Sequence, residues 1–225
     1  TAYHEAGHAI VGINLPKCDP VYKATIIPRG GALGMVVSLP EMDRLEFHKD
    51  EAREKIAMTM AGKAAEIIKF GDERVSNGPT GDIQQASALA RAMVMRWGMS
   101  DVVGNIDYAE AHEGYQGNTG GFSVSAETKK LIEAEVKRLI DEGYETARRI
   151  LLEKNEDFER LAQGLLEYET LTGDQITKVI AGEPLDSDDD SGSSSNQGGG
   201  LSNLISIPKT KPRGSSGGME PEPSA

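Results

Sequence analysis

Several features that narrow the function of a protein are scarce in this sequence. The 225 residues include a single cysteine, Cys18, so no internal disulfide can form. A lone thiol also lacks the second Cys of a thiolate metal pair, and we expect Cys18 to be a small residue in a loop. Aromatic residues make up only 5% of the chain, so aliphatic side chains must supply most of the core. Apolar runs such as residues 9–11 fall far short of the roughly 20 residues that span a bilayer.

Basic residues are also in the minority. The chain has 24 Lys and Arg against 36 Asp and Glu, which gives a formal net charge of −12. Proteins that bind nucleic acid need clustered cations to displace the counterions of the phosphates. We therefore expect no nucleic-acid partner. The sequence begins at Thr1, without methionine and already in a helical pattern, so we expect the natural protein to continue upstream.

Hydrophobic spacing predicts a mainly α-helical fold. Pro16 ends the first helical pattern, and Gly71 and Gly98 follow the last periodic residues of the next two helices. The third helix is expected to bury one stripe: Ile83, Ala86, Ala90, Val94 and Trp97. A long amphipathic helix follows, with its apolar stripe at Ile132, Val136, Leu139, Gly143, Ala147 and Ile150. Shorter helices are predicted at residues 158–168 and 174–181, the last opened by a capping box of Thr172 and Gln175.

The only clear β signal lies on both sides of residues 28–31, Pro-Arg-Gly-Gly, and predicts a small β-hairpin. A Gly-rich loop is expected over about residues 101–122. Beyond Gly182 the composition shifts to Asp, Ser, Gly and Pro, with too little apolar surface to offset the entropy of ordering. We therefore predict a folded domain at residues 1–182 and a disordered tail at residues 183–225.

The most informative string is His4-Glu5-Ala6-Gly7-His8. In a helix, a spacing of four residues places both imidazoles on one side, one turn apart, where a single Zn²⁺ can accept a nitrogen from each. Glu5 then projects beside the metal. Zinc lowers the pKa of its bound water, and a neighbouring carboxylate can take that proton as the water attacks a peptide carbonyl. The pattern indicates metal-assisted amide hydrolysis.

A zinc hydrolase usually needs a third protein ligand. The extended pattern H-E-x-x-H-x-x-G-x-x-H fails, because Val11 and Asn14 stand where its Gly and third His belong. Spacing leaves two candidates open, Glu66 within a predicted helix and Asp82 at the start of the next. The remaining histidines lie in polar surroundings and are predicted to be surface residues: His48 and His112.

Four segments, TAYHEAGHAIVG, ATIIPRGGALG, AGKAAEIIKFG and NGPTGDIQQASALARAMV, resemble the FtsH-type ATP-dependent zinc metalloproteases in order and spacing. The resemblance covers roughly residues 1–182. It implies that His4 and His8 are zinc ligands, that Glu5 is the catalytic carboxylate, and that Asp82 is the third ligand. Glu66 is then expected to orient a ligand histidine, as metal-bound imidazoles commonly require.

The same resemblance implies a mostly helical peptidase fold with Zn²⁺ as cofactor, a homohexameric ring, and a membrane-anchored AAA+ ATPase on the N-terminal side. No G-x-x-x-x-G-K-[ST] phosphate loop occurs here, so ATP and Mg²⁺ would belong to that ATPase, and membrane contact to segments outside this sequence. The implied substrates are unfolded polypeptides, degraded in membrane protein quality control. The implied location is a bacterial inner membrane with the peptidase facing the cytoplasm, or an organellar membrane in a eukaryote.

The strand predicted near residues 34–39 can pair with an extended substrate, because an exposed strand edge offers free N–H and C=O groups. Gly34, Met35 and Val36 are therefore candidate substrate-binding residues. The alternative is a strand that only packs on the helices. Two other functions stay open: an assembly module that forms rings, against which the intact His-Glu-x-x-His motif argues, and a zinc hydrolase of small amides, against which the resemblance argues.

Overall fold

The computed structural model describes residues 1–40, 46–108 and 124–185, and within them the chain is mainly α-helical, as predicted. Six α-helices lie in these ranges: α1 (Ala2–Asn14), α2 (Lys49–Phe70), α3 (Thr80–Met95), α4 (Ala126–Glu153), α5 (Asn155–Tyr168) and α6 (Gly173–Ala181). A 3-10 turn spans Asp72–Arg74. Three short strands complete the described part: β1 (Val21–Thr25), β2 (Met35–Ser38) and β3 (Thr170–Thr172).

Helix α2 lies at the centre, packed against α1, α3 and α4. Small residues set its distance from α1: a Cβ on Gly7 would lie 2.6 Å from the Cβ of Ala65 and 2.8 Å from the carbonyl oxygen of Ala61. Gly143 plays the same part in α4, where a Cβ would lie 2.6 Å from Cγ2 of Ile56. Close approach of α1 to α2 fixes which residues of the two helices can meet.

The apolar core is largely aliphatic, as the scarcity of aromatics predicts. One cluster joins α1 and α2 to α5, α6 and the sheet around the fully buried Phe158, Leu161 and Leu165. A second cluster joins α2, α3 and α4. The predicted stripe of α4 is confirmed, because all six of its residues are buried. No helix in the described ranges is long and apolar enough to cross a membrane.

The sheet has the order β2-β1-β3, and both pairings are antiparallel. The predicted hairpin is confirmed, with Thr25 opposite Met35 and Val21 opposite Ser38. Strand β3 is not among the elements that the sequence predicts, because three residues between two helices show no periodicity. The capping box of α6 is confirmed: the N–H of Thr172 donates to Oε1 of Gln175 at 2.9 Å, and the N–H of Gln175 donates back to Oγ1 of Thr172 at 3.4 Å.

Two residues of the predicted α3 stripe are not buried. Ile83 is 40% exposed and Trp97 is 44% exposed, whereas Ala86, Ala90 and Val94 are fully buried. That prediction was wrong for Trp97 because the helix ends at Met95, so helical spacing no longer fixes its direction. It instead contacts the ring of Phe47, with centroids 5.9 Å apart. Ile83 lies in the first turn of α3, and nothing in the structure explains its exposure.

Other predictions fall wholly or partly outside the described ranges. His112 and most of the loop at residues 101–122 are outside them, as is the predicted tail apart from residues 183–185. The domain boundary at residue 182 therefore stays a prediction. His48 is exposed, as expected. Cys18 follows α1 in a turn, where burial raises the pKa of its thiol to about 11, so it is a poor nucleophile there.

Candidate metal centre

Helix α1 brings His4 and His8 together, as their spacing predicts. Their Nε2 atoms lie 3.1 Å apart, and their rings meet edge to face with centroids 4.8 Å apart. The side chains lie at the interface of α1 with α2, where His8 is 9% exposed.

Helix α2 supplies an acceptor for the other nitrogen of each ring. Nδ1 of His4 lies 3.0 Å from Oε1 of Glu66, and Nδ1 of His8 lies 2.8 Å from the carbonyl oxygen of Met58. A carboxylate and a carbonyl can only accept, so each Nδ1 carries the hydrogen. Each Nε2 is then left with a lone pair, which is the state in which imidazole binds a metal.

Asp82, in the first turn of α3, completes a cluster of three ligand atoms. Its Oδ2 lies 3.1 Å from Nε2 of His4 and 3.5 Å from Nε2 of His8. Glu66, the other candidate, contacts Nδ1 of His4 on the far side of the ring. The structure therefore brings Asp82, and not Glu66, to the two Nε2 atoms.

This donor set fits a zinc ion. Two ligands at the usual zinc distance of about 2.0–2.1 Å, in tetrahedral geometry, lie roughly 3.4 Å apart, close to the three separations observed. Two lone pairs and a carboxylate oxygen facing one another repel unless a cation lies among them. Imidazole nitrogen and carboxylate oxygen are both common zinc ligands.

Gly62 of α2 keeps space open beside the two rings. A Cβ at this position would lie 2.5 Å from Cε1 of His4 and 2.6 Å from Nε2 of both histidines. Sequence reasoning missed Gly62, although a signal existed: glycine inside a helix costs about 1 kcal/mol relative to alanine, so it usually has a packing or functional reason.

The electrostatics of the cluster keep Asp82 ionised. Burial works to raise the pKa of Asp82, but when the imidazoles of His4 and His8 are protonated, their hydrogen bonds and positive charge outweigh burial and hold the pKa of Asp82 well below its usual range. Burial works to lower the pKa of His4, and Asp82 and Glu5 raise it on balance. An anionic Asp82 is the form that binds a metal ion.

Glu5 lies on the same helix, buried at 6% exposure. Burial raises its pKa, against the opposing charges of His8 and His4. A carboxylate with a raised pKa is a better proton acceptor near neutral pH. The residue opposite is Gly34, where a Cβ would lie 2.6 Å from Oε1 of Glu5, so a side chain at position 34 would collide with this carboxylate.

The predicted substrate-binding residues lie at the start of an edge strand. Gly34 directly precedes β2, and Met35 and Val36 are its first two residues. Strand β2 pairs with β1 on one side only among the described residues, so its other edge is unpaired there. Gly34, directly before this strand, lies beside Glu5.

Comparison with known proteins agrees with these features. The model of Peptidase family M41 matches residues 1–179. The chain is 48% identical over 187 residues to a protein of Caulobacter vibrioides named ATP-dependent zinc metalloprotease FtsH, covering 82% of this chain and 30% of that protein. It is 45% identical over 190 residues to the FtsH of Rickettsia typhi, covering 84% and 30%. It is 44% identical over 185 residues to FtsH 2 of Methylacidiphilum infernorum, covering 80% and 28%.

The chain thus spans about 30% of the length of these relatives. The match runs from the histidine pair of α1 through the helix that carries Asp82 and into the last helix, so it covers every residue of the candidate site. The chain belongs to peptidase family M41.

Proposed function

We propose that this chain is a zinc-dependent endopeptidase domain that hydrolyses peptide bonds of unfolded proteins. One observation carries the proposal: the ligand atoms of His4, His8 and Asp82 converge within hydrogen-bonding distance of one another, and Glu5 lies on the same helix. His4, His8 and Asp82 would hold the zinc ion. Zinc bound there would polarise the substrate carbonyl and lower the pKa of a water molecule.

Glu5 is proposed as the general base. Its carboxylate accepts a proton from the water whose oxygen attacks the peptide carbonyl carbon. As the carbon–nitrogen bond breaks, Glu5 returns that proton to the leaving amine nitrogen, so the carboxylate is regenerated at the end of each cycle. The raised pKa of Glu5 favours both transfers, because proton exchange is most efficient when the pKa of the base lies near the working pH.

The edge of β2 that has no partner among the described residues supports an extended polypeptide as substrate. Backbone N–H and C=O groups of a peptide can add to such an edge, as in other β-augmentation complexes. This mode of binding recognises the peptide backbone rather than particular side chains, which suits the hydrolysis of many unfolded proteins. Gly34, Met35 and Val36 are the proposed contacts, and Met35 is 41% exposed.

The relatives' name includes "ATP-dependent", and they are about three times as long as this chain. We propose that an attached AAA+ ATPase on the N-terminal side unfolds and delivers the substrate, and that ATP and Mg²⁺ act only there. The assembly is proposed to be a homohexamer, held at a bacterial inner membrane with the peptidase in the cytoplasm, or at an organellar membrane in a eukaryote. Its role would be quality control of membrane proteins.

The test uses the full-length protein with ATP and an unfolded test protein. Glu5→Gln should keep its zinc and lose at least about a hundredfold in cleavage rate, the scale expected for a general base. Asp82→Ala should lose zinc, whereas His48→Ala, which changes an exposed histidine outside the cluster, should change neither zinc content nor cleavage. Retained cleavage in Glu5→Gln, or zinc lost from Glu66→Ala but not from Asp82→Ala, would overturn the assignments.

Two outcomes would indicate another function. Cleavage of small amides without cleavage of unfolded protein would indicate a small-amide hydrolase. Absence of both zinc and cleavage in the full-length assembly would indicate a module that serves assembly alone.

A further inference from the structure

Ser76 lies in the turn between the 3-10 segment and α3, and both of its donor groups end on one carboxylate. Its N–H donates to Oε2 of Glu66 at 3.0 Å. Its hydroxyl lies 3.0 Å from Oε2 and 3.2 Å from Oε1 of the same group. Glu66 is 8% exposed, so few other donors can reach it.

Glu66 therefore stands between Ser76 and His4. Oε1 accepts from Nδ1 of His4 at 3.0 Å, while the donors of Ser76 hold the carboxylate from the other side. A carboxylate on a helix can rotate about its side-chain torsions unless both oxygens are bound. With both oxygens held, only a narrow range of His4 ring orientations keeps the bond to Nδ1.

Ser76 also begins the turn that leads to Asp82. Its Oγ accepts from the N–H of Gly78 at 3.0 Å. The carbonyl of Asn77 then accepts from the N–H of Thr80 at 3.2 Å and from its hydroxyl at 2.7 Å. Thr80 is the first residue of α3, and Asp82 lies in the first turn of that helix.

These bonds close a ring of contacts around the metal site. From His4 the ring passes to Glu66, to Ser76, along the turn to Asp82, and back to Nε2 of His4 at 3.1 Å. We propose that Ser76 is a positioning residue for the metal centre: it orients His4 through Glu66 and holds the turn that presents Asp82. The inference rests on the proposed zinc function, and Ser76 itself touches neither metal nor substrate.

The isosteric pair Ser76→Thr and Ser76→Val tests the hydroxyl with shape held constant. Ser76 is exposed, so an added methyl group has room. In the full-length protein, Ser76→Val should bind zinc about 10- to 100-fold more weakly by chelator competition, the scale expected for lost outer contacts of a metal ligand. Ser76→Thr should stay within about threefold of the wild type, because it keeps the hydroxyl.

A spectroscopic measurement separates positioning from general stability. With Co²⁺ in place of zinc, the visible ligand-field bands should shift in Ser76→Val and stay unchanged in Ser76→Thr. Ser87→Ala, a change at a serine inside α3 and outside the ring of contacts, is the matched control and should alter neither the Co²⁺ bands nor the zinc affinity. Circular dichroism checks that each variant keeps its helical content, and if Ser76→Val does not fold, Ser76→Ala, which also lacks the hydroxyl, takes its place.

The outcomes distinguish this inference from the function beneath it. Wild-type affinity and unchanged Co²⁺ bands in Ser76→Val, while Asp82→Ala loses zinc, would overturn the role of Ser76 and leave the zinc peptidase intact. Equal losses in the Thr and Val variants would also overturn it, because the hydroxyl would then be irrelevant. A wild-type protein that binds no zinc would overturn both.

Discussion

Gly62→Ala should weaken zinc binding strongly without changing any ligand residue. The new methyl group would lie 2.5 Å from Cε1 of His4 and 2.6 Å from Nε2 of both His4 and His8. Real Cβ atoms essentially never approach a heavy atom closer than 3.0 Å, so something must move. Helix backbone is stiff and the imidazoles are side chains, so we expect the rings to turn away and their bonds to Glu66 and Met58 to break.

The cost to folding should be modest. Overpacking typically destabilises by about 1–3 kcal/mol, while replacing glycine by alanine inside a helix recovers about 1 kcal/mol. We therefore expect the metal-free variant to lose no more than about 2 kcal/mol in the free energy of unfolding. Two of three ligands would be displaced, so zinc should bind at least about a hundredfold more weakly.

Melting with and without zinc measures both effects at once. At a zinc concentration of 100 times the wild-type dissociation constant, binding stabilises the wild type by about 2.7 kcal/mol. A hundredfold weaker variant at the same concentration gains only about 0.4 kcal/mol, so the zinc-induced rise in melting temperature should nearly vanish. Chelator competition gives the affinity directly.

Two glycine variants serve as controls. Gly173→Ala, in α6, places a Cβ 2.6 Å from the carbonyl oxygen of Val21 in β1, outside the ligand cluster, and should lower stability while leaving zinc affinity unchanged. Gly81→Ala, next to Asp82 in the first turn of α3, meets nothing within 4 Å and should leave zinc affinity unchanged while raising stability by up to about 1 kcal/mol. If Gly62→Ala binds zinc as tightly as the wild type, the reasoning about the space beside the rings is refuted.

Two further predictions concern stability away from the metal centre. Tyr3→Phe removes the hydroxyl that donates to Glu159 at 2.9 Å and accepts from Gln163 at 3.0 Å, and should cost about 0.5–1.5 kcal/mol in urea unfolding. Tyr22→Phe, at a 56% exposed position, is the control and should unfold at the same urea concentration as the wild type. A Tyr3→Phe variant with the same urea midpoint as the wild type would contradict the prediction. The paired hydrogen bonds of Arg138, aided by Ser100, lower the pKa of Glu135 from 4.5 to about 2, so its stabilisation is complete above pH 4.5 and is lost as pH falls from there towards 2. Glu135→Gln should therefore be less stable than the wild type at pH 6, and the difference should shrink as the pH falls to 3.5. Because Arg138 is 41% exposed and solvent screens the pair, we expect the difference in unfolding free energy to shrink by only about 1 kcal/mol. A difference that does not change with pH would refute the linkage.

The sequence predicts the helices well because their apolar spacing is long and regular. The stripe of α4 extends over five turns, and each of its predicted residues is buried. The hairpin is also predicted, since β-branched runs flank a Gly-containing turn. Strand β3 is not predictable in this way, because a three-residue strand forms only when α5 and α6 bring it alongside β1. The predicted burial of Trp97 is wrong for a related reason, because the direction of this side chain depends on where the helix ends.

Some residues of the candidate site can be predicted from the sequence in the same way, and others cannot. His4, Glu5 and His8 follow from local spacing, because one helix carries all three. Asp82 and Glu66 come from distant segments, and spacing alone leaves both possible as the third ligand. Only the arrangement of α2 and α3 separates them, with Asp82 at Nε2 of His4 and Glu66 at Nδ1.

Helix α2 supplies none of the proposed ligands, yet it contacts both histidines. Met58, Gly62 and Glu66 are spaced four residues apart, so they form one face of the helix. Along that face the carbonyl of Met58 accepts a hydrogen bond from His8, and the carboxylate of Glu66 accepts one from His4. Between them Gly62, which has no side chain, leaves space for the two rings. Of these three residues, only Glu66 has a side chain that a search for metal ligands would consider. A carbonyl is common to every residue, so the role of Met58 is invisible in sequence, and substitutions of its side chain should leave the zinc site intact as long as the helix backbone stays in place.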